Sequence, residues 1–302
     1  MKVHIYAYMC IVNTHMRIII NNFPKKVYYY ANMCIVDTQI EGKINHLLRE
    51  WPSGTVATMP WLAQMGVGRF LARAYVKGGW IKPLGRGAFV RTEGTNSNLK
   101  NGPLWTGGLY SLQSQLNLPI HAGGETALRL NGYGHTAPMN SIPPLYLFGP
   151  GGSKLPSWFR KHKWNQEVRF KTTDFLPYSK DHGFTIDSQN GYPITLSSPE
   201  RAILESLLLM PRYTTFEGAT HLMESLSTLR PEMVVTLLKA CKSVKVKRTF
   251  LYIAEQVNHA WFMRLNLSNV DLGKGKRVVV PGGKFDSKYG ITVAHKPQTG
   301  DA

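Results

Sequence analysis

The chain has 302 residues, with 36 Lys and Arg against 18 Asp and Glu; its formal net charge of +18 predicts a polyanionic partner, nucleic acid first. The length suits one large domain or two ordinary ones, and 43% hydrophobic with 11% aromatic residues excludes wholesale disorder. No apolar run reaches the roughly 18 residues of a membrane span, and three cysteines (Cys10, Cys34, Cys241) without CxxC or Cys/His spacing exclude a disulfide framework and a zinc site; a reducing cytoplasm and no membrane partner are expected.

Residues 1–39 have no helical period and no cap. They carry an echo: Met9-Cys10-Ile11-Val12-Asn13-Thr14 returns as Met33-Cys34-Ile35-Val36-Asp37-Thr38, each copy after a Tyr-rich stretch. Two copies are too few for a solenoid. Reverse translation offers another origin, because Tyr8 to Met16 can be encoded by ATATGTGTAT and its reverse complement ATACACATAT around a spacer of about five bases. Asn32 to Ile40 permits the same palindrome with a mismatch at Gln39. Residues 1–39 are therefore expected to be translated promoter DNA carrying two operator copies, with the true start downstream. The plain alternative is a disordered or β-forming tail with a chance repeat.

Residues 40–93 read as a winged helix-turn-helix. Ile44, Leu47 and Leu48 recur at helical spacing until Trp51-Pro52 stops the helix. Thr58 is a candidate N-cap, with Pro60 in the first turn of a short helix through Trp61, Leu62 and Met65, and Gly66 makes a tight turn. A third helix is predicted from Val67 to Lys77, ending at Gly78-Gly79, with Val67, Phe70, Leu71, Ala74 and Tyr75 turned inward. Arg69, Arg73 and Lys77 follow one another at four-residue intervals and form a basic stripe on the other face. Trp80 to Leu84 and Ala88 to Arg91 are predicted strands around a Gly85-Arg86-Gly87 tip. No acidic residue falls between Glu50 and Glu93, while Arg69, Arg73, Lys77, Lys82, Arg86 and Arg91 are all basic. A solvated face normally mixes signs. These six are the candidate DNA-binding residues, with the third helix in the major groove and Arg86 against the backbone or minor groove of double-stranded DNA. A winged helix used only for protein contacts is the bland reading.

Residues 94–103 are a polar, Gly/Asn-rich linker. Beyond them, over 104–297, helices are predicted from Trp105 to Leu116 and Glu125 to Leu130, and strands at Leu145 to Phe148, Val168 to Phe170, Thr185-Ile186 and Ile194 to Leu196. Four helices follow. Ser198-Pro199 opens the first, and the others run from Phe216 to Leu226, Pro231 to Cys241 and Val246 to His259; Lys276 to Val293 returns to strand-like alternation. The fold class is α+β: an N-terminal winged helix-turn-helix, then a larger α+β domain with a helical subdomain.

This larger part shows little chemistry. Gly149-Pro150-Gly151-Gly152-Ser153-Lys154 lacks P-loop spacing and reads as a turn. His121, His135, His162, His182, His221 and His259 are scattered and read as surface or satisfied core histidines. Glu200 and Glu205 sit near a helix start, where they offset its dipole. No catalytic residue, metal site or cofactor is expected. Lys242, Lys245, Lys247, Arg248, Lys274, Lys276 and Arg277 form a possible second basic surface, whose alternatives are a solvated face, further DNA contacts or an acidic protein partner.

Several stretches together resemble the AbiEi-type antitoxins of type IV toxin–antitoxin (abortive infection) systems over residues 41–295. They are Trp61-Leu62-Ala63 through Leu71-Ala72-Arg73 to Gly79-Trp80, Gly85-Arg86-Gly87-Ala88, and Ser198-Pro199-Glu200-Arg201-Ala202. Ser243 to Arg248 with Phe250-Leu251-Tyr252, and Leu272 to Arg277, extend the likeness. The resemblance implies a bacterial winged-helix repressor of its own operon, bound at promoter inverted repeats. It also implies opposition to a cognate nucleotidyltransferase-like toxin without a stable complex. By position, Arg69, Arg73 and Arg86 would carry operator binding. A standalone regulator with a partner- or ligand-sensing C-terminal domain is the first alternative, and a nucleic-acid-modifying enzyme the second.

Overall fold

The computed structural model describes residues 42–92, 103–133 and 142–294. The N-terminal extension with its echo, and the predicted linker up to residue 102, lie outside them. The chain divides into two compact units, Met1–His46 and Leu47–Ala302. Of the first, only residues 42–46 are described; they begin helix α1 (residues 42–50). This helix ends where Pro52 bars the helical backbone at the residue before it.

In the second unit the remainder of α1 is followed by β1 (Ala57–Thr58), α2 (Met59–Gln64), α3 (Arg69–Lys77), β2 (Ile81–Gly85) and β3 (Ala88–Arg91). The three strands form one sheet in the order β1-β3-β2. Helix, helix, turn, helix and antiparallel hairpin make a winged helix. Thr58 has the extended backbone of an N-cap, but its hydroxyl makes no capping bond; its N–H donates instead to Gln115 Oε1 at 2.8 Å. Trp51 is fully buried and meets Trp61 edge-on, with ring centroids 5.9 Å apart.

The predicted helix from Trp105 to Leu116 is α4 (Trp105–Tyr110) running into a π-helical stretch, Ser111–Gln115. From that wider turn Ser111 and Gln115 both donate to the carbonyl of Val56, the residue before β1. A five-stranded sheet follows, in the order β6-β5-β4-β8-β7, from β4 (His121–Ala122), β5 (Leu145–Gly149), β6 (Val168–Thr172), β7 (Phe184–Asp187) and β8 (Ile194–Ser197). Pairing is parallel for β4/β8 and β5/β6 and antiparallel for β4/β5 and β7/β8. Helices α5 (Gly124–Leu130) and α6 (Ser157–Lys161) join its strands.

The helical subdomain comprises α7 (Pro199–Leu208), α8 (Phe216–Ser225), α9 (Pro231–Ala240) and α10 (Val244–Val257). Proline occupies the first turn of α7 and α9, while Thr215 and Ser243 cap α8 and α10 through the Gly218 and Val246 N–H groups at 3.0 and 3.3 Å. A small sheet of β9 (Arg277–Val278), β10 (Lys284–Asp286) and β11 (Ile291–Val293) closes the chain. One continuous core runs from Val56 and Ala88 of the winged helix to Ile291 and Val293 of the last strand.

Candidate nucleic-acid interface

Helix α2 has Pro60 in its first turn and stops at Gly66, whose φ of +76° suits glycine. The Val67 N–H returns to the Leu62 carbonyl at 2.8 Å, which fixes the angle of α3 against α2. Helix α3 starts at Gly68, with no side-chain cap and no acid in its first turn, so its leading N–H groups meet no fixed negative charge there. Ala72 and Tyr75 are its buried residues.

Arg69, Arg73 and Lys77 are exposed, as the four-residue spacing predicts. Phe70 is a correction: it is 85% exposed rather than turned inward. At about 100° per residue, Phe70 lies roughly 160° around the helix from Ala72 and falls beside Lys77 at the edge of the cationic arc. Leaving it outside the core forgoes roughly 1.5–3 kcal/mol of burial.

The wing pairs Ile81 with Arg91, Lys82 with Val90 and Pro83 with Phe89, and carries a register shift before Gly85. Arg86 stands exposed at the tip, next to Gly87 with φ +75°, and Lys82 is exposed on β2. Arg91 differs, because it is half-buried and donates to the Trp51 carbonyl at 3.0 Å. Arg69, Arg73, Lys77, Lys82 and Arg86 make no ion pair among the described residues.

The wing lies against α6. A β-carbon at Gly85 would sit 2.9 Å from Trp158 Cβ. Helix α6 brings exposed Arg160 and Lys161, followed by exposed Lys163, to this junction. Sequence reading missed these three, although the run Arg160-Lys161-His162-Lys163 is visible in the chain.

The second basic cluster splits. Lys242, Lys274 and Lys276 are exposed, and Arg277 is half-buried against the Lys276 carbonyl. Lys245 donates to the Met210 carbonyl at 3.4 Å, and burial lowers its pKa. Lys247 and Arg248 are buried, which removes them from any surface. Lys247 bonds the Asp271 carbonyl; Arg248 donates to the carbonyls of Leu272, Gly273, Gly275 and Gly290 at 2.8, 2.8, 2.6 and 3.3 Å. Its guanidinium replaces missing ladder bonds for the loop that presents Lys274 and Lys276.

Glu200 does lie in the first turn of α7, as expected of a dipole partner, but Glu205 does not, and both are buried. Glu200 accepts from the Arg230 guanidinium and N–H, which together with Ser198 keep its carboxyl below the ordinary range against the opposing effect of burial. Glu205 is fully buried and accepts from His121 Nε2 at 2.9 Å, Arg201 Nε at 2.8 Å, Ser197 Oγ at 2.7 Å and the Gly124 N–H at 3.0 Å. Burial would raise its pKa, yet these donors outweigh it and hold Glu205 ionised. Burial also lowers the pKa of His121, so the ring is neutral near pH 7, donating through Nε2 with Nδ1 left as a bare acceptor. His121 is thus a core histidine, packed between Phe148, Tyr178 and Phe184. The described residues include no group of three or more His, Cys, Asp or Glu placed to hold a metal, and no helix long and apolar enough to cross a membrane.

The chain thus joins a winged helix with an exposed cationic helix and wing to an α+β body. Two family models match the chain: the transcriptional regulator AbiEi antitoxin N-terminal domain over residues 40–139, and the transcriptional regulator AbiEi antitoxin of type IV toxin–antitoxin systems over residues 143–294. The chain belongs to this AbiEi antitoxin family. A solved structure, the RV2827C protein from Mycobacterium tuberculosis, is similar in fold at 12% identity with a TM-score of 0.55, covering 83% of this chain and 89% of that one. Among curated proteins none matches.

Proposed function

We propose that this chain is an antitoxin that binds double-stranded DNA at inverted repeats in its own promoter, represses that operon, and counteracts a cognate nucleotidyltransferase-like toxin without a stable complex. The family supplies the coarser part, a transcriptional regulator of a type IV system. The observation that carries the DNA reading is the exposed cationic arc of α3, with Arg69, Arg73 and Lys77, followed by Arg86 on the wing. Five exposed cations without a carboxylate partner among the described residues match the phosphates flanking a groove. Arg91, held by the Trp51 carbonyl, serves the scaffold first.

The test is binding of the full chain to a duplex covering the codons of residues 1–40, against a shuffled duplex, both at about 150 mM salt where non-specific contacts are weak. Tight, selective binding supports autoregulation. Equal, weak binding to both removes the operator reading. Rescue of growth when the neighbouring toxin gene is co-expressed tests the antitoxin half separately.

A further inference from the structure

We propose that Phe70 reads DNA sequence by covering the 5-methyl group of a thymine in the major groove, which rests on the DNA-binding reading above. Phe70 is the second residue of α3 and 85% exposed, the most exposed large apolar side chain among the described residues. Its neighbours on the exposed arc are Arg69, Arg73 and Lys77. An apolar ring at the edge of such a fringe suits a partner that is a polyanion at its rim and apolar at one point. The major groove is such a surface, because the thymine methyl is the apolar group it displays between phosphate walls.

Position along the helix agrees. In helix-turn-helix docking the first turn of the second helix of the motif meets base edges, and Phe70 lies in that turn while Lys77 lies in the last. The approach is bare: a β-carbon at Gly66 or Gly68 would meet nothing within 4 Å. Charge disfavours a second copy of this chain as the occupant, since Arg69 and Arg73 would face like charges across a symmetric contact.

The experiment uses the full chain and a duplex that the wild type selects from a randomised pool, prepared once with thymine and once with deoxyuridine. Uracil removes the methyl and keeps every hydrogen-bonding edge. The wild type should lose about fourfold in affinity for each methyl covered. Phe70→Ala should bind both duplexes equally, Phe70→Leu should keep part of the difference, and Arg73→Ala should keep all of it while binding more weakly. A wild type that selects a sequence yet treats thymine and uracil alike overturns the proposal and leaves the DNA reading standing. So does a Phe70→Ala variant that keeps the difference. Failure to select any sequence overturns both. A wild-type dimer that Phe70→Ala turns into monomer, with no thymine effect, assigns the ring to a subunit contact and overturns the proposal.

Discussion

Gln115 serves Thr58 as a neighbouring strand would: its Oε1 accepts from the Thr58 N–H at 2.8 Å, while its Nε2 donates to the Val56 carbonyl at 2.9 Å. The short strand β1 is therefore paired with β3 on one side and met on the other by Gln115, with Ser111 joining it at the Val56 carbonyl. Gln115→Leu leaves the buried Thr58 N–H without a partner, at a cost of about 1–3 kcal/mol. Urea denaturation should show this loss while Arg69 and Arg73 stay in place on α3. An unchanged midpoint would mean that water replaces the amide.

Glu205 collects four donors from four elements, β4, α5, β8 and its own helix α7, so its removal strands more than one group. Glu205→Gln leaves the Arg201 guanidinium buried without its counter-charge, and should destabilise the protein by about 3–5 kcal/mol. Gly123→Ala attacks the same point from the other side, since a β-carbon there would lie 2.2 Å from Glu205 Oε2 and 2.5 Å from Phe148 Cδ2. Both should lower the denaturation midpoint. A loss below about 1 kcal/mol for Glu205→Gln would show that Arg201 finds another partner.

The same cluster sets acid sensitivity. His121 has a pKa below its ordinary value of 6.5 in the folded state, so the unfolded chain takes up the proton first as pH falls. Stability then declines as pH drops below about 6.5, by at most about 1.4 kcal/mol per unit from this one group. Glu205, also depressed, contributes stability that is present above its ordinary value of 4.5 and lost as pH falls towards its folded value. Denaturation midpoints from pH 7.5 to 5 should slope downward, and His121→Gln should flatten that slope. An equal slope in the variant would place the titrating group elsewhere.

Cations of the same charge should divide by role. Arg73→Ala should weaken DNA binding and reduce the salt slope by about 1, with an unchanged melting temperature. Arg248→Met should do the reverse, destabilising the loop that it ties, through three carbonyls, to the Gly290 carbonyl, and leaving the salt slope alone. Arg91→Ala should resemble Arg248→Met more than Arg73→Ala, because its guanidinium faces the Trp51 carbonyl. Salt titrations and thermal melts of the three variants give the comparison.

What the sequence made legible was short-range. The order of the winged-helix elements, the prolines opening α7 and α9, and the exposed four-residue stripe on α3 follow from spacing and local caps. Phe70 was misread because residues 70, 71, 74 and 75 form a plausible apolar arc, and packing centred it instead on Ala72 and Tyr75. Lys247 and Arg248 look like any surface run until the 271–275 loop wraps them. Glu205 reads locally as a dipole partner because two of its donors, His121 in β4 and the Gly124 N–H at the start of α5, lie 84 and 81 residues away in the chain. One local signal existed: Arg201 and Glu205, four apart, lie on a helix otherwise rich in Leu, Ile and Ala.

The contact of Gly85 with Trp158 has a mate at Gly107, where a β-carbon would lie 2.0 Å from the Gly54 carbonyl oxygen. With Val56 and Ala88 built into the common core, the head that carries α3 is fastened to its body at several points among the described residues. Such a molecule presents α3 as a fixed jaw. On the operator reading proposed above, tolerance for altered spacing between half-sites should be narrow, because the described contacts hold the head against the body.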